Sequence, residues 1–305
     1  MNRFVIFCAG FLLISIPWCS KKINYEKPIE LRAVGLNCIG NNVISNQRSI
    51  AEVMHFLGEN HFNGVFPLVQ VSLFDSIDGT KKTDALRNDV FNKLILEAHR
   101  QELKILPIID YQIFKNEEKW TEEDSLKYYN WLVRDSLGNI LEYHNNNFIN
   151  VFNPDVRKSI IKWFNYLLNE YDFDGIVGGE HLFLQPADGV YSDYIQKQFL
   201  YGQYGEQLSK EYNDTDWHRW YREEMNRNIR TIYKEVKKNN PDELIYWIVN
   251  AVDKSNDNVV QDWPNWLNGG YADLIIPIID QKGIAAYNRT LDAIQPDSIS
   301  LFRNK

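Results

Sequence analysis

Cysteine is scarce in this chain. Three occur in 305 residues, and two of them, Cys8 and Cys19, fall within the first twenty positions. With that leader set aside only Cys38 remains, so no disulfide is expected in the rest of the chain. Positive charge is also in deficit. Lys and Arg number 33 against 41 Asp and Glu, a formal net charge of -8. Phosphate binding needs clustered Lys and Arg, so this balance argues against nucleic acid as a partner. Several motifs are missing as well. No GxGxxG turn follows the first predicted strand, no GxSxG elbow occurs, and the six histidines show neither HxH nor HExxH spacing. A dinucleotide fold, a serine-hydrolase elbow and a metal centre all lose support, and no cofactor is expected.

The one long apolar run lies at the N-terminus, from Phe4 to about Trp18. It is short for a membrane span and fits the apolar region of an export signal, with Arg3 before it and Ser20, Lys21 and Lys22 after it. Cys19 stands where a lipoprotein signal places its lipidated cysteine, although Trp18 is bulkier than the small residues usual there. The expected organisation is a signal peptide over 1–20, a polar linker over 21–29 and one domain over 30–305. The expected location is outside the cytoplasm, in the periplasm or as an outer-membrane or cell-surface lipoprotein. Membrane contact would come only through that N-terminal lipid anchor.

What remains alternates. Near-continuous apolar strands are predicted over 31–39, 64–71, 104–110, 175–178, 244–252 and 274–279, with a seventh over 298–302. Helices are predicted from 45, over 84–103, over 155–171 after Asn153-Pro154, over 216–239, and over 285–294. The segment 111–152 has no clear periodicity, and no internal repeat is read. Strands that are apolar throughout and alternate with helices form a parallel sheet buried on both faces. The fold class is therefore α/β, a (β/α)8 TIM-barrel-like arrangement. Lys305 comes before an eighth unit, so either the early linker holds a further element or the barrel is incomplete at its C-terminal end.

In such a barrel the chemistry sits at the C-terminal ends of the strands. Those ends supply Asn37, Gln70, Asp110, Glu180 with His181, Asn250 with Asp253, and Asp280. So many carboxylates around one mouth cost stability unless they are paired, ligate something or perform a task. Paired carboxylates with aromatic neighbours and no cofactor motif suit glycoside hydrolysis, in which one acid protonates the leaving oxygen and the other attacks or activates water. The catalytic candidates are Glu180, as general acid, with Asp110 or Asp280 as its partner. A separation of ~5 Å would imply retention and ~6.5–9.5 Å inversion. Gln70, His181, Trp247 and Asn250 are candidates for substrate binding. Asp174 opens its strand, at the wrong end for catalysis, and reads as a turn or ion-pair residue. His99, on a helix, reads as a packing or capping residue.

Six stretches carry a resemblance. They are HFNGVFPLVQV (61–71), EAHRQELKILPIID (97–110), WLVRDSLG (131–138), NPDVRKSIIKWFNYLLNEYDFDGI (153–176), WYREEMNRNIRTIYKEVKKNNP (220–241) and YADLIIPIID (271–280). In this order the chain resembles the glycosyl-hydrolase-like family ten of bacterial envelope proteins, over roughly residues 30 to 280. The resemblance implies a (β/α) barrel and a polysaccharide or oligosaccharide substrate. It also exposes departures. Members usually follow DGI with paired aspartates and a tyrosine, whereas this chain reads Gly178-Gly179-Glu180-His181, with Gly179 in the place of the first aspartate. Asp110 ends the third strand where a glutamate is usual, and Asp280 closes a sixth strand that lacks the usual PQ-x-Y. Arg222 and Asn226 match on the long helix, where packing is the expected role. The acid count is kept while the identities shift. Three readings follow: a glycoside hydrolase acting on an envelope or environmental polysaccharide, a catalytically degenerate barrel that binds carbohydrate without cutting it, or a different barrel enzyme such as a metal-dependent one.

Overall fold

A computed structural model describes residues 31–37, 47–70, 90–110, 122, 129–134, 139–143, 146–147, 149–179, 182, 214–250 and 261–278. Nine strands are found among them: β1 (Ala33–Asn37), β2 (Gly64–Gln70), β3 (Lys104–Ile105), β4 (Ile108–Asp110), β5 (Glu142–Tyr143), β6 (Asn146–Asn147), β7 (Gly175–Gly178), β8 (Leu244–Asn250) and β9 (Leu274–Ile278). Seven form one sheet in the order β1-β2-β4-β7-β8-β9, with β3 also pairing β2, and every pairing in it is parallel. The helices are α1 (Gln47–Glu59), α2 (Val90–Arg100), α3 (Pro154–Glu170), α4 (Asp214–Asn239) and α5 (Trp263–Asn268). Each lies in sequence between two strands of the sheet, as a (β/α) succession requires. Among the described residues the curled parallel sheet is that of part of a TIM-like barrel. The predicted strand over 298–302 and helix over 285–294 lie outside the described residues.

Three local departures from expectation have physical causes. The third strand is split into β3 and β4 because Pro107 has no N–H to give the ladder. The chain still keeps its place, since Leu106 N donates to Val65 O at 3.0 Å and Val177 N to Pro107 O at 2.9 Å. The short helix α5 was not expected, for six residues are too few to display a helical period. Trp263 and Trp266, three apart, are both buried by it. The small hairpin of β5 and β6 lies in the segment that showed no periodicity.

Helices α1, α2 and α5 end alike. Phe62 N reaches Leu57 O, Leu103 N reaches Ala98 O, and Tyr271 N reaches Trp266 O. In each case the preceding residue, His61, Glu102 or Gly270, has positive φ. This is the Schellman ending, which satisfies the last helical carbonyls and turns the chain back toward the sheet. His61 and Glu102 adopt that conformation without being glycine, at a modest local cost.

Each side of the sheet has its own apolar layer. Val65, Val69, Ile105, Ile109, Ile176, Ile245, Trp247, Val249 and Ile275 join the large core shared with the helices. Phe66, Leu106, Val177 and Tyr246 form a second cluster, with Ile108, Ile248, Leu274 and Ile276 against it. The two sets alternate along every strand, as the period of two demands. The second set is the interior of the curled sheet.

Candidate active site

The alternation decides which strand-end residues face the interior. Leu106 and Ile108 belong to the inner layer, so Asp110, two residues further, ends β4 on that side. It is buried, with 7% of its surface exposed. The backbones of Gln70 and Asp110 stand side by side in the β2–β4 pairing. On the other flank Ile109 pairs with Gly178, and Gly179 N donates to Ile109 O at 2.8 Å, which brings position 179 beside Asp110. There the approach is unusually close. A Cβ on Gly179 would lie 2.6 Å from Asp110 Cβ, 2.7 Å from its Cγ and 3.0 Å from its Cα. Neighbouring strands ordinarily keep their backbones about 4.8 Å apart. Leu182 N donates to Gly179 O at 3.3 Å.

The other sequence candidates fare differently. Trp247 is corrected from a sugar contact to a core residue. It alternates with inner-layer Tyr246 and Ile248, so its ring points to the helices. It is fully buried, stacks on Phe164 with ring centroids 6.0 Å apart, and donates from Nε1 to Tyr271 O at 2.8 Å. Gln70 and Asn250 close β2 and β8, and Asn250 is paired in register with Ile278. Glu180, His181, Asp253 and Asp280 lie outside the described residues, as does Cys19. Asn226 packs as expected: its Nδ2 donates to Asp262 Oδ2 at 3.3 Å and its Oδ1 accepts from Trp266 Nε1 at 2.7 Å. Among the described residues no group of three or more His, Cys, Asp and Glu is placed to hold a metal ion.

Two amides meet one carbonyl between β4 and α3. Asn150 and Asn153 both donate from Nδ2 to Asn130 O, at 3.3 and 3.1 Å. Asn153 also caps α3 by accepting from Asp155 N at 2.9 Å, with Pro154 next to it. In the same segment the Arg134 guanidinium lies 3.9 Å from the centre of the half-exposed Tyr129 ring. Sequence reading found the Asn153-Pro154 start but had no signal for Asn130 or the Tyr129–Arg134 pair.

The opposite end of the sheet carries a cluster of charged side chains. Asp174 Oδ2 accepts from Ile105 N at 2.9 Å and lies 3.1 Å from His99 Nε2, with Lys104 Nζ 4.0 Å from Oδ1. Asp273 Oδ2 accepts from Ile245 N at 2.8 Å and lies 2.9 Å from Lys237 Nζ, while its Oδ1 accepts from Tyr233 OH at 2.9 Å. Both aspartates are structural, as the sequence position of Asp174 implied. Their charge reaches inward: burial, then Asp273 and Asp174, push the Tyr246 hydroxyl up to about 12. Glu243 is pushed upward first by burial and then by Asp174, Asp172 and Asp242, while Lys237 opposes the shift.

The sequence matches the family described as Glycosyl hydrolase-like 10 over residues 30–299. The chain belongs to that family. This glycosyl hydrolase-like 10 chain is similar in fold to the glycoside hydrolase domain of PgaB (BpsB) from Bordetella bronchiseptica, with a TM-score of 0.59 and 11% identity over 88% of this chain and 80% of that one. It is similar also to the catalytic domain of a beta-amylase from Paenibacillus polymyxa, with a TM-score of 0.59 and 12% identity over 87% and 82%. A beta-galactosidase from Bacillus circulans sp. alkalophilus aligns with a TM-score of 0.57 and 13% identity over 87% of this chain but 42% of its own. At such identities the likeness is one of fold. No curated protein matches the sequence. Family and fold together place the chain among the carbohydrate-active (β/α) barrels.

Proposed function

We propose that this chain is an exported glycoside hydrolase that cleaves a cell-envelope or environmental polysaccharide with a carboxylate pair at the strand ends. The observation that carries this reading is Asp110, a buried carboxylate that closes a central strand on the interior side. A carboxylate held away from water without a task is costly. Glu180 follows β7, next to Gly179, and is assigned as the general acid. Asp110 is assigned as nucleophile or base, and Asp280, beyond the end of β9, as the alternative partner. Gln70, His181 and Asn250 are assigned to sugar hydroxyls. Cys19 is assigned as the lipid anchor.

The test is digestion of peptidoglycan strands and a panel of plant and host polysaccharides with wild type, Glu180→Gln and Asp110→Asn. Each variant is expected to lose about 10²–10⁴-fold in rate, the usual worth of a general acid or base. Full activity in either variant removes that residue from the mechanism. A binding-only reading is favoured by one specific observation: Gly179 leaves β7 without a side chain beside Asp110. That reading expects retention on immobilised glycan and no product from any of the three proteins.

A further inference from the structure

Gly179 is not a glycine for conformational reasons, since its φ lies outside the left-handed region. Its constraint is space. The atoms that a side chain at 179 would strike include Asp110 Cα and Cβ, at 3.0 and 2.6 Å. Rotating the Asp110 side chain about χ1 moves neither atom, so no rotamer change relieves the clash. With this backbone only one of the two positions can bear a side chain. The first side-chain carbon from β7 and the carboxyl carbon from β4 would fall 2.7 Å apart. The two strands thus deliver their side chains into one and the same volume.

We infer that positions 110 and 179 form a single exchangeable carboxylate place: Gly179 is the positioning residue whose empty side opens that place to Asp110, and an aspartate delivered from 179 fills it when 110 is glycine. The inference rests on the hydrolase reading for its functional half, while its steric half stands alone. It extends that reading by giving Gly179 a role through Asp110.

Five proteins test it: wild type, Gly179→Ala, Asp110→Gly, the exchange Asp110→Gly/Gly179→Asp, and the double variant Asp110→Gly/Gly179→Ala, which completes a melting cycle. Gly179→Ala is expected to lower the melting temperature by several degrees when Asp110 is present and by clearly less when residue 110 is glycine, where only the 3.0 Å contact with the Cα remains. Equal losses in both backgrounds overturn the shared volume. On peptidoglycan strands, or whichever member of the polysaccharide panel wild type cuts, Asp110→Gly is expected to lose about 10²–10⁴-fold in kcat. The exchange variant is expected to recover most of that loss with KM little changed, which a purely structural glycine would not produce. An exchange variant that folds and stays as slow as Asp110→Gly overturns the functional half. If wild type cuts nothing on the panel, the hydrolase reading and the functional half fall together, while the melting cycle still decides the steric claim.

Discussion

At the scale of single residues, one step along a strand separates a site from a core. Trp247 and Asn250 both looked available to a sugar because both lie late in an apolar strand. Trp247 falls on the helix side, where Phe164 and the Tyr271 carbonyl engage both its face and its N–H. Trp247→Ala is therefore expected to cost about 3–5 kcal/mol of stability, the usual penalty for truncating a buried ring. Denaturant unfolding checks this. A variant of unchanged stability that had lost only glycan affinity would return Trp247 to the site. Asp110 is the converse case. Its inner position follows from Leu106 and Ile108 by alternation, but its contact with Gly179 joins residues 69 apart and leaves no trace in spacing.

At the scale of elements, the strand starts share a latch. Asn63, Asp174 and Asp273 each stand just before a strand, in Phe-Asn-Gly-Val, Phe-Asp-Gly-Ile and Ala-Asp-Leu-Ile. Each side-chain oxygen accepts from a backbone N–H of the neighbouring segment, at Arg32, Ile105 and Ile245. Each backbone N–H donates back to the carbonyl of that same residue. The reciprocal pair extends the parallel ladder by one rung and fixes register, because a slip of one residue would leave the acceptor without its donor. The recurrence is visible in the sequence once the structure points to it. It does not amount to a sequence repeat, because only one polar residue and its apolar neighbours recur. Asp273→Ala removes bonds to Ile245 N, Tyr233 OH and Lys237 together. It is expected to cost about 2–3 kcal/mol, in the range of hydrogen bonds to a charged acceptor. Thermal unfolding checks it, and an unchanged midpoint would show the latch to be dispensable.

At the scale of the whole molecule, the clustered charge of the strand starts and the buried Asp110 stand at opposite ends of the sheet. The strand starts gather Asp172, Asp174, Asp242, Glu243 and Asp273 with His99, Lys104 and Lys237, whereas Asp110 stands at the far end. This crowding predicts a pH dependence. Glu243 is raised by burial and by its acidic neighbours, so the folded state binds its proton more tightly than the unfolded chain. Stability from this group is highest below the ordinary glutamate value of 4.5 and is lost as the pH rises through the raised value. Glu243→Gln is therefore expected to melt above wild type at about pH 7 and to match it at about pH 4. Melting curves across that range check the sign, and a variant less stable than wild type at neutral pH would show that the attraction to Lys237 outweighs the acidic neighbours.

The sequence by itself determined the alternation of apolar strands and amphipathic helices, the α3 start at Asn153-Pro154, and the family. These are local patterns, or ordered sets of them, and a periodicity of two or 3.6 is written directly in the residues. The break in the third strand was not among them: the apolar run over 104–110 predicts one strand, and the missing donor of Pro107 divides it. The tertiary structure alone decided which residues share a volume. It set Asp110 over Gly179, turned Trp247 into the core, and joined each strand-start Asn or Asp to a backbone far away in sequence. Those choices depend on how strands sit side by side, and strand pairing acts between segments that the linear order keeps apart.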